Sequence, residues 1–450
     1  MGSASTVLKP ARPGAAVSAA PRVAVVQDGA RLHYALPLAL QRAGILQRVF
    51  TEWFVTPGSL ESLMLRAVKW VSPDLGQRMG ERNCPALSAS AVCRNPWLVL
   101  RQQWGRGRFR TEVEFFQWIR HVVGRWVEGE GLGDANTLMG FVGNIDTELC
   151  AWAQRCGVMV VGDQVGAPMK VFMRHCLEES ERWQGWERMG TPQEIRGRYE
   201  ALGDVEERTW RELDHITCAS AYVRRGLESE GVEAERISIN PYPIDASAYA
   251  VPDRRGRVGP VTVGFVGRVG LLKGTPYFFE VARRLSGRNV KFVMIGPLGL
   301  DESVARDRKG NVELVGRVPR SEVASWLEKF DLLLFPSVSE GSSGAVMEAM
   351  CSGLPVVVSN NSGSAARDGI EGFSAAHDDV EALAGYVERL LTDQKLREEM
   401  GSAARRRVET FNLDAYGAAL AAMLAGLLVD KRSASGNGRP TVNHESRQNA

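Results

Sequence analysis

Residues 335–358 read FPSVSEGSSGAVMEAMCSGLPVVV, an order of residue types that predicts a strand, a glycine- and serine-rich loop, a helix and a second strand. Residues 331–335 form a short apolar run that Pro336 closes, and Ser342, Ser343 and Gly344 are N-cap candidates for a helix through Cys351. Gly353 and Pro355 end that helix, and Val356, Val357 and Val358 open another buried strand. A helix start of this kind presents unpaired amides and a positive dipole end, the environment a phosphate needs. Glu340 falls in the loop and Glu348 one to two turns into the helix. Carboxylates are poor phosphate ligands but good acceptors for hydroxyls, so the pair suits sugar or ribose hydroxyls beside a phosphate. The plainer alternative makes Glu348 a solvated helix residue and Glu340 a loop charge.

Outward from this stretch the same rhythm recurs. Strand-like runs at 261–266, 291–295, 312–315, 331–335 and 356–359 alternate with helical patterns such as 275–285 and 321–330. An earlier series runs through 22–26, 158–161, 216–218 and 237–239, with helical patterns at 34–44, 147–156 and 205–213. Such alternation gives an α/β protein with parallel sheets covered on both faces. Residues 241–257 (PYPIDASAYAVPDRRGR) hold three prolines and a charge cluster, the best linker in the chain. Two Rossmann-like domains follow, 21–250 and 251–410, facing each other across a cleft that is the default binding site. Residues 411–430 read as a helix able to cross back to the first domain, with a disordered lead over 1–20 and a disordered tail over 431–450.

The bulk composition narrows the partners. With 450 residues, 44% hydrophobic, 24% charged and a net charge of +2, the chain has the balance of a soluble globular protein and gives no sign of nucleic acid as its main partner. Seven cysteines form no CxxC pair and no metal-ligand spacing, which fits free thiols in a reducing, cytoplasmic setting. The apolar stretch 418–429 is too short to span a bilayer and reads as a packed helix. Residues 60–130 break the α/β rhythm, carrying Trp70, Trp97, Trp104, Trp118 and Trp126 among Arg94, Arg101, Arg106, Arg108, Arg110, Arg120 and Arg125. A basic, aromatic helical insertion suits a membrane interface or a lipid-linked acceptor, giving peripheral contact at the inner face of a membrane. The preferred reading is simpler: a helical elaboration that buries its tryptophans in the first domain's core.

The chemistry concentrates in the second series. Residues 264–274, GFVGRVGLLKG, follow its first strand and place Arg268 and Lys273 five positions apart on a glycine-rich turn. Two cations there can neutralise a diphosphate, the guanidinium by paired hydrogen bonds and the ammonium as a point charge, while Gly267 and Gly270 let backbone approach. The turn is neither a Walker A motif nor a GxGxxG with its acidic partner.

GFVGRVGLLKG paired with SEGSSGAVMEAMCSGLPVVVS resembles the retaining glycosyltransferases of family 4, which have the GT-B fold. Residues 240–245 (NPYPID) resemble the segment that ends the N-domain of that family, and 368–373 (DGIEGF) the turn after its acidic motif. The resemblance implies transfer of a sugar from a nucleotide-diphosphate sugar to a glycan, glycolipid or small-molecule acceptor, with retention. It implies that Arg268 and Lys273 hold the donor diphosphate, that Glu340 faces the donor sugar and that Glu348 contacts the ribose. The backbone of Gly341, Ser342, Ser343, Gly344, Ala345 and Val346 would support the sugar and phosphate end, and the segment 314–318 with Gly316 would lie beside the base. No Asp-x-Asp triplet occurs, so no metal and no cofactor is expected beyond the donor itself.

On the acceptor side Asp163, at the end of a predicted strand, is the candidate base. His33 is a second polar residue near the cleft, while His175 and His215 read as structural. Pro243, the first loop at 27–30 and Ser364 depart from the family pattern and leave the acceptor open. A nucleotide-sugar epimerase and a non-catalytic nucleotide-sugar-binding partner are the competing readings on this architecture.

Overall fold

The computed structural model describes residues 20–56 and 58–436. The expected disordered lead falls outside these residues except at Ala20. Seven strands form the first sheet: β1 (Val23–Val26), β2 (Leu46–Thr51), β3 (Val92–Arg94), β4 (Thr137–Phe141), β5 (Met159–Gln164), β6 (His215–Cys218) and β7 (Ile237–Ile239), in the order β3-β2-β1-β4-β5-β6-β7. Six form the second: β8 (Val261–Val266), β9 (Val290–Ile295), β10 (Val312–Gly316), β11 (Leu332–Phe335), β12 (Val356–Ser359) and β13 (Gly372–Ala375), in the order β10-β9-β8-β11-β12-β13. Every neighbouring pair is parallel. The central strands are apolar along both faces, VAVV in β1 and LLLF in β11, and are buried throughout, as strands covered by helices on both sides must be.

The linker is tied down by specific bonds. Tyr242 belongs to the first domain's core, and Ile244 donates its amide to the Phe411 carbonyl at 2.8 Å. Arg254 donates to the carbonyls of Phe330, Ser352 and Leu327, which anchors the linker to the second domain. Helix Leu413–Gly436 then returns to the first domain, where Tyr416, Leu420, Leu424 and Leu428 are buried with Leu36, Ala39 and Leu40. Gly417 permits the contact, since a Cβ there would stand 2.5 Å from the Ala39 carbonyl oxygen. By length and composition 413–433 could cross a membrane; here one of its faces completes the first core. Because this helix runs through Gly436, residues 431–436 are helical and not a disordered tail; 437–450 lie outside the described residues.

The insertion corrects two expectations. It contributes the edge strand β3 between its helices, so it is not wholly helical. Only part of its aromatic set enters the core: Trp126 packs edge-on against Phe50 at 5.6 Å, whereas Trp70, Trp97 and Trp104 are 89%, 71% and 74% exposed.

Candidate active site

In the second sheet the strand order reverses between β8 and β11, and the loops leaving those two strands open side by side at the carboxyl end. That is where open parallel sheets form crevices. The glycine turn after β8 and the acidic loop after β11 are joined directly: the Val338 amide and the Ser337 hydroxyl both donate to the Leu272 carbonyl, at 3.0 and 3.1 Å. Gly274 makes this approach feasible. Its φ is +73°, and a Cβ there would lie 1.8 Å from the Pro336 carbonyl oxygen, so no larger residue fits without moving the loop. Gly267, with φ of +150°, turns the chain where a Cβ on Gly296 would strike the Gly267 carbonyl at 1.8 Å.

This geometry brings three of the predicted side chains together. The Lys273 ammonium forms an ion pair with the Glu340 carboxylate and lies 5.9 Å from the Phe335 ring centroid. Burial pulls Lys273 down to about 8, against the pull of the neighbouring carboxylate, which favours the charged form. Arg268 reaches the same cleft, of about 450 Å³, which is walled on the opposite side by Met169, Phe172 and Tyr199 of the first domain. Gly341 is held between the domains: its carbonyl accepts from the Ser220 hydroxyl at 2.6 Å, and a Cβ there would come 2.0 Å from the Val165 carbonyl oxygen. Tyr222 and Ser339 share a hydrogen bond of 2.9 Å across the same boundary.

The helix after the acidic loop is arranged differently. Ser343 is its N-cap, its hydroxyl accepting from the Val346 amide at 3.3 Å, so Ser343 and Val346 satisfy each other, while Ser342 is half-buried and Gly344 exposed at the entrance beside Ala345. Glu348 does not line the cleft with Glu340. It is buried, which pushes its carboxyl above the usual range, and it accepts from Arg320 at 3.2 Å. Arg320 follows β10, whose last residue, Gly316, has φ of +85° and accepts from the Gly296 amide at 2.9 Å. Glu348 is thus linked to the β10 side of the sheet, next to the segment expected beside a base.

Asp163 is not a cleft residue. It is 3% exposed, and both carboxylate oxygens are occupied, by the Thr217 hydroxyl at 3.1 Å and the Tyr242 hydroxyl at 2.9 Å. Desolvation raises it to about 6. With both faces of β5 covered, alternation along the strand could not tell which side would meet a ligand. His33 is exposed on a turn where Leu32, His33 and Tyr34 all have positive φ.

Polar groups that the sequence reading missed surround a second cleft, of about 300 Å³, at the point where the first sheet reverses between β1 and β4. Asp28 and Glu52 face Phe116 and Val123 of helix Glu112–Glu130, and Glu206 lies at one side. Burial, reinforced by Asp28, raises Glu52 to about 8, and burial raises Glu206 to about 7. Glu52 is ion-paired with Arg82. Met169 lines both clefts, so they adjoin. Asp28 lies in the first loop, 27–30, which departs from the family pattern; Glu52 and Glu206 come from distant segments with no motif. Among the described residues one group, His121, Asp146 and Glu148, has metal-ligand spacing, and it shares no residue with the cleft around Arg268.

Comparison with known proteins places this geometry. Residues 260–393 match the family model for glycosyl transferases group 1. The match spans β8 to the helix after β13 and so includes Arg268, Lys273, Glu340 and Glu348. The capsular polysaccharide biosynthesis glycosyltransferase CapM of Staphylococcus aureus is 30% identical over 157 residues, 33% of this chain and 41% of CapM. A UDP-Gal:alpha-D-GlcNAc-diphosphoundecaprenol alpha-1,3-galactosyltransferase of Escherichia coli is 26% identical over 40% of this chain and 52% of its own. The chain thus spans about half the length of the curated relatives it matches. Among solved structures, sucrose-phosphate synthase from Thermosynechococcus elongatus superposes with a TM-score of 0.58 at 16% identity, covering 92% of this chain and all of that one. HepE of Anabaena in complex with UDP gives 0.54 at 13%, covering 90% and 100%. Both matches run through the two sheets, and the architecture is GT-B.

Proposed function

We propose that this protein is a retaining, metal-independent glycosyltransferase that moves a sugar from a nucleotide-diphosphate sugar to an acceptor hydroxyl. The observation that carries the reading is the convergence of Arg268, Lys273 and Glu340 in one cleft at the switch point of the second sheet. Negative charge grows on the departing diphosphate while the sugar becomes oxocarbenium-like, and fixed cations and amides lower that barrier; each well-placed donor supplies on the order of 3 kcal/mol. Glu340 sits where it can accept from sugar hydroxyls, and Glu348 where it can accept from ribose. No covalent role is assigned to Glu340: same-face attack by the acceptor accounts for retention.

The cleft between β1 and β4 adjoins the donor cleft through Met169 and is the natural acceptor seat, in the cytoplasm or at the inner face of a membrane. Relatives named for capsular polysaccharide and diphosphoundecaprenol-linked sugars favour a glycan or glycolipid acceptor in polysaccharide biosynthesis, and the exposed Trp70, Trp97 and Trp104 suit peripheral contact with lipid. The absence of an Asp-x-Asp triplet supports metal independence.

A thermal-shift screen of UDP-, GDP- and ADP-sugars tests the donor, since a bound ligand stabilises with the logarithm of its saturation. One donor class should raise Tm in the full chain and not in Arg268→Ala; no shift with any of them would sink the reading. Turnover should survive EDTA, and the anomeric proton coupling of the product should match that of the donor.

A further inference from the structure

Glu187 lies in residues 183–190, between helix Met169–Arg182 and helix Pro192–Glu212, and no motif marks it. Yet its carboxylate occupies the glycine turn of the donor cleft. Oε1 accepts from Arg268 Nη2 at 2.6 Å, and Oε2 accepts from the Leu271 amide at 2.7 Å. One anion therefore spans a guanidinium and a backbone N–H with two oxygens, which is how a pair of phosphate oxygens would engage the same donors. Gly270 permits the fit, because a Cβ there would stand 2.7 Å from Oε2. The carboxylate is largely enclosed, its side chain only 11% exposed, while Arg268 remains 58% exposed on its outer side.

The segment that carries Glu187 is an irregular strap between two helices. It has no regular secondary structure, and Gly185 and Gly190 have φ of +78° and +100°. Its hold on the second domain is local: Trp183 lies edge-on to Tyr277 at 5.7 Å, Trp186 rests near Phe279 at 6.3 Å, and the Asp301 amide donates to the Trp186 carbonyl at 2.7 Å. Those contacts place the carboxylate at Arg268 without burying the strap beneath other elements.

We propose that Glu187 is a resident surrogate for the donor phosphate, and that a nucleoside diphosphate seats only by displacing it from Arg268 and the Leu271 amide. The proposal rests on the donor reading of Arg268. With the strap in place both cations of the cleft are paired, Arg268 with Glu187 and Lys273 with Glu340. A carboxylate and a diphosphate oxygen cannot share these donors, since like charges at that separation repel strongly inside a cleft. The donor therefore binds a cleft that is only fractionally vacant, and its apparent affinity is reduced by that fraction. A ligand must offer at least the two-oxygen span that Glu187 offers, so the strap selects diphosphates over weaker anions.

The test is calorimetric titration of UDP, GDP and ADP into the full chain and into Glu187→Gln, Glu187→Ala, Arg268→Ala and the Glu187→Gln/Arg268→Ala double variant, each first shown to unfold cooperatively. Glu187→Gln preserves shape and removes the charge. It should bind the preferred nucleotide about tenfold more tightly than the wild type, with Glu187→Ala at least as tight. Arg268→Ala should bind weakly, and adding Glu187→Gln to it should gain nothing, because no guanidinium remains to be freed. Unchanged or weaker binding in both Glu187 variants, with Arg268→Ala still impaired, overturns the proposal and makes Glu187 a positioning residue for the guanidinium. If Arg268→Ala binds as well as the wild type, the donor reading of Arg268 falls, and the proposal with it.

Discussion

Lys273 meets two opposed demands at one position. Burial lowers its ammonium from 10.5 to about 8, while a diphosphate in the cleft needs it charged. Between those two values the unfolded chain holds the proton more tightly than the folded one, so this group's contribution makes stability rise as pH climbs from about 8 toward 10.5. Donor binding runs the other way, and affinity for the nucleoside diphosphate should fall as pH rises past about 8. Titration calorimetry and thermal unfolding across that range check the two slopes, and Lys273→Arg should flatten both, because its guanidinium stays charged. Affinity that climbs above pH 8 would contradict the assignment. At this scale the donor residues were legible because each motif is contiguous and its chemistry follows from residue type. Asp163 was misread for a physical reason: a carboxylate ending a strand looks like a cleft residue, and only the tertiary partners Thr217 and Tyr242 reveal that it is spent inside. Glu187 was invisible because its meaning depends on Arg268, 81 positions away.

Among the elements, the turn 267–274 and the loop 336–343 act as one unit, and Gly274 is the joint between them. Gly274→Ala places a Cβ against the Pro336 carbonyl at a φ of +73°, which should cost on the order of 2–4 kcal/mol and displace Lys273 from Glu340. The expected result is a lowered Tm together with weakened donor binding. Gly344→Ala is the control: nothing lies within 4 Å of its Cβ position and its φ is not positive, so it should be neutral or slightly stabilising. Chemical denaturation of both variants decides whether the glycine turn is held by this contact. Most central strands were legible from their unbroken apolar runs. β2 was missed because Gln47, Arg48 and Thr51 interrupt LQRVFT, β4 because TLMGF opens on a threonine and carries a glycine, β13 because GFSA carries a glycine and a serine, and β3 because three residues give no periodicity. The signal fades wherever polar residues or glycine interrupt the apolar run, in the central β4 as at the edges β3 and β13.

For the whole molecule, the question is what holds the two sheets in register across the cleft, and the sequence could not answer it, since interdomain partners lie far apart in the chain. The helix Met169–Arg182 leaves the first domain and meets the second with a buried carboxylate, Glu179, at the contact. Glu179 is 1% exposed; it accepts from the Tyr277 hydroxyl at 2.7 Å, with His377 at 3.6 Å and Arg182 at 3.9 Å. The Tyr277 hydroxyl also accepts from Arg182 at 2.7 Å, and Arg182 continues to Asp378 at 3.0 Å. A chain of charged and neutral donors thus joins the domains beside the strap that carries Glu187. Removing the hydroxyl leaves the buried Glu179 carboxylate without its nearest donor, a loss of about 1.5–3 kcal/mol for a hydrogen bond to a charged group. Tyr277→Phe should therefore lower the thermal unfolding midpoint and loosen the interface, seen as a larger radius of gyration by small-angle scattering without donor and as a larger contraction when the nucleoside diphosphate is added. Unaltered scattering with a lowered midpoint would assign the bond to local stability alone. Because the strap's Trp183 packs on Tyr277, the same variant should also bind donor more tightly if the ring's hydroxyl network is what holds Glu187 on Arg268.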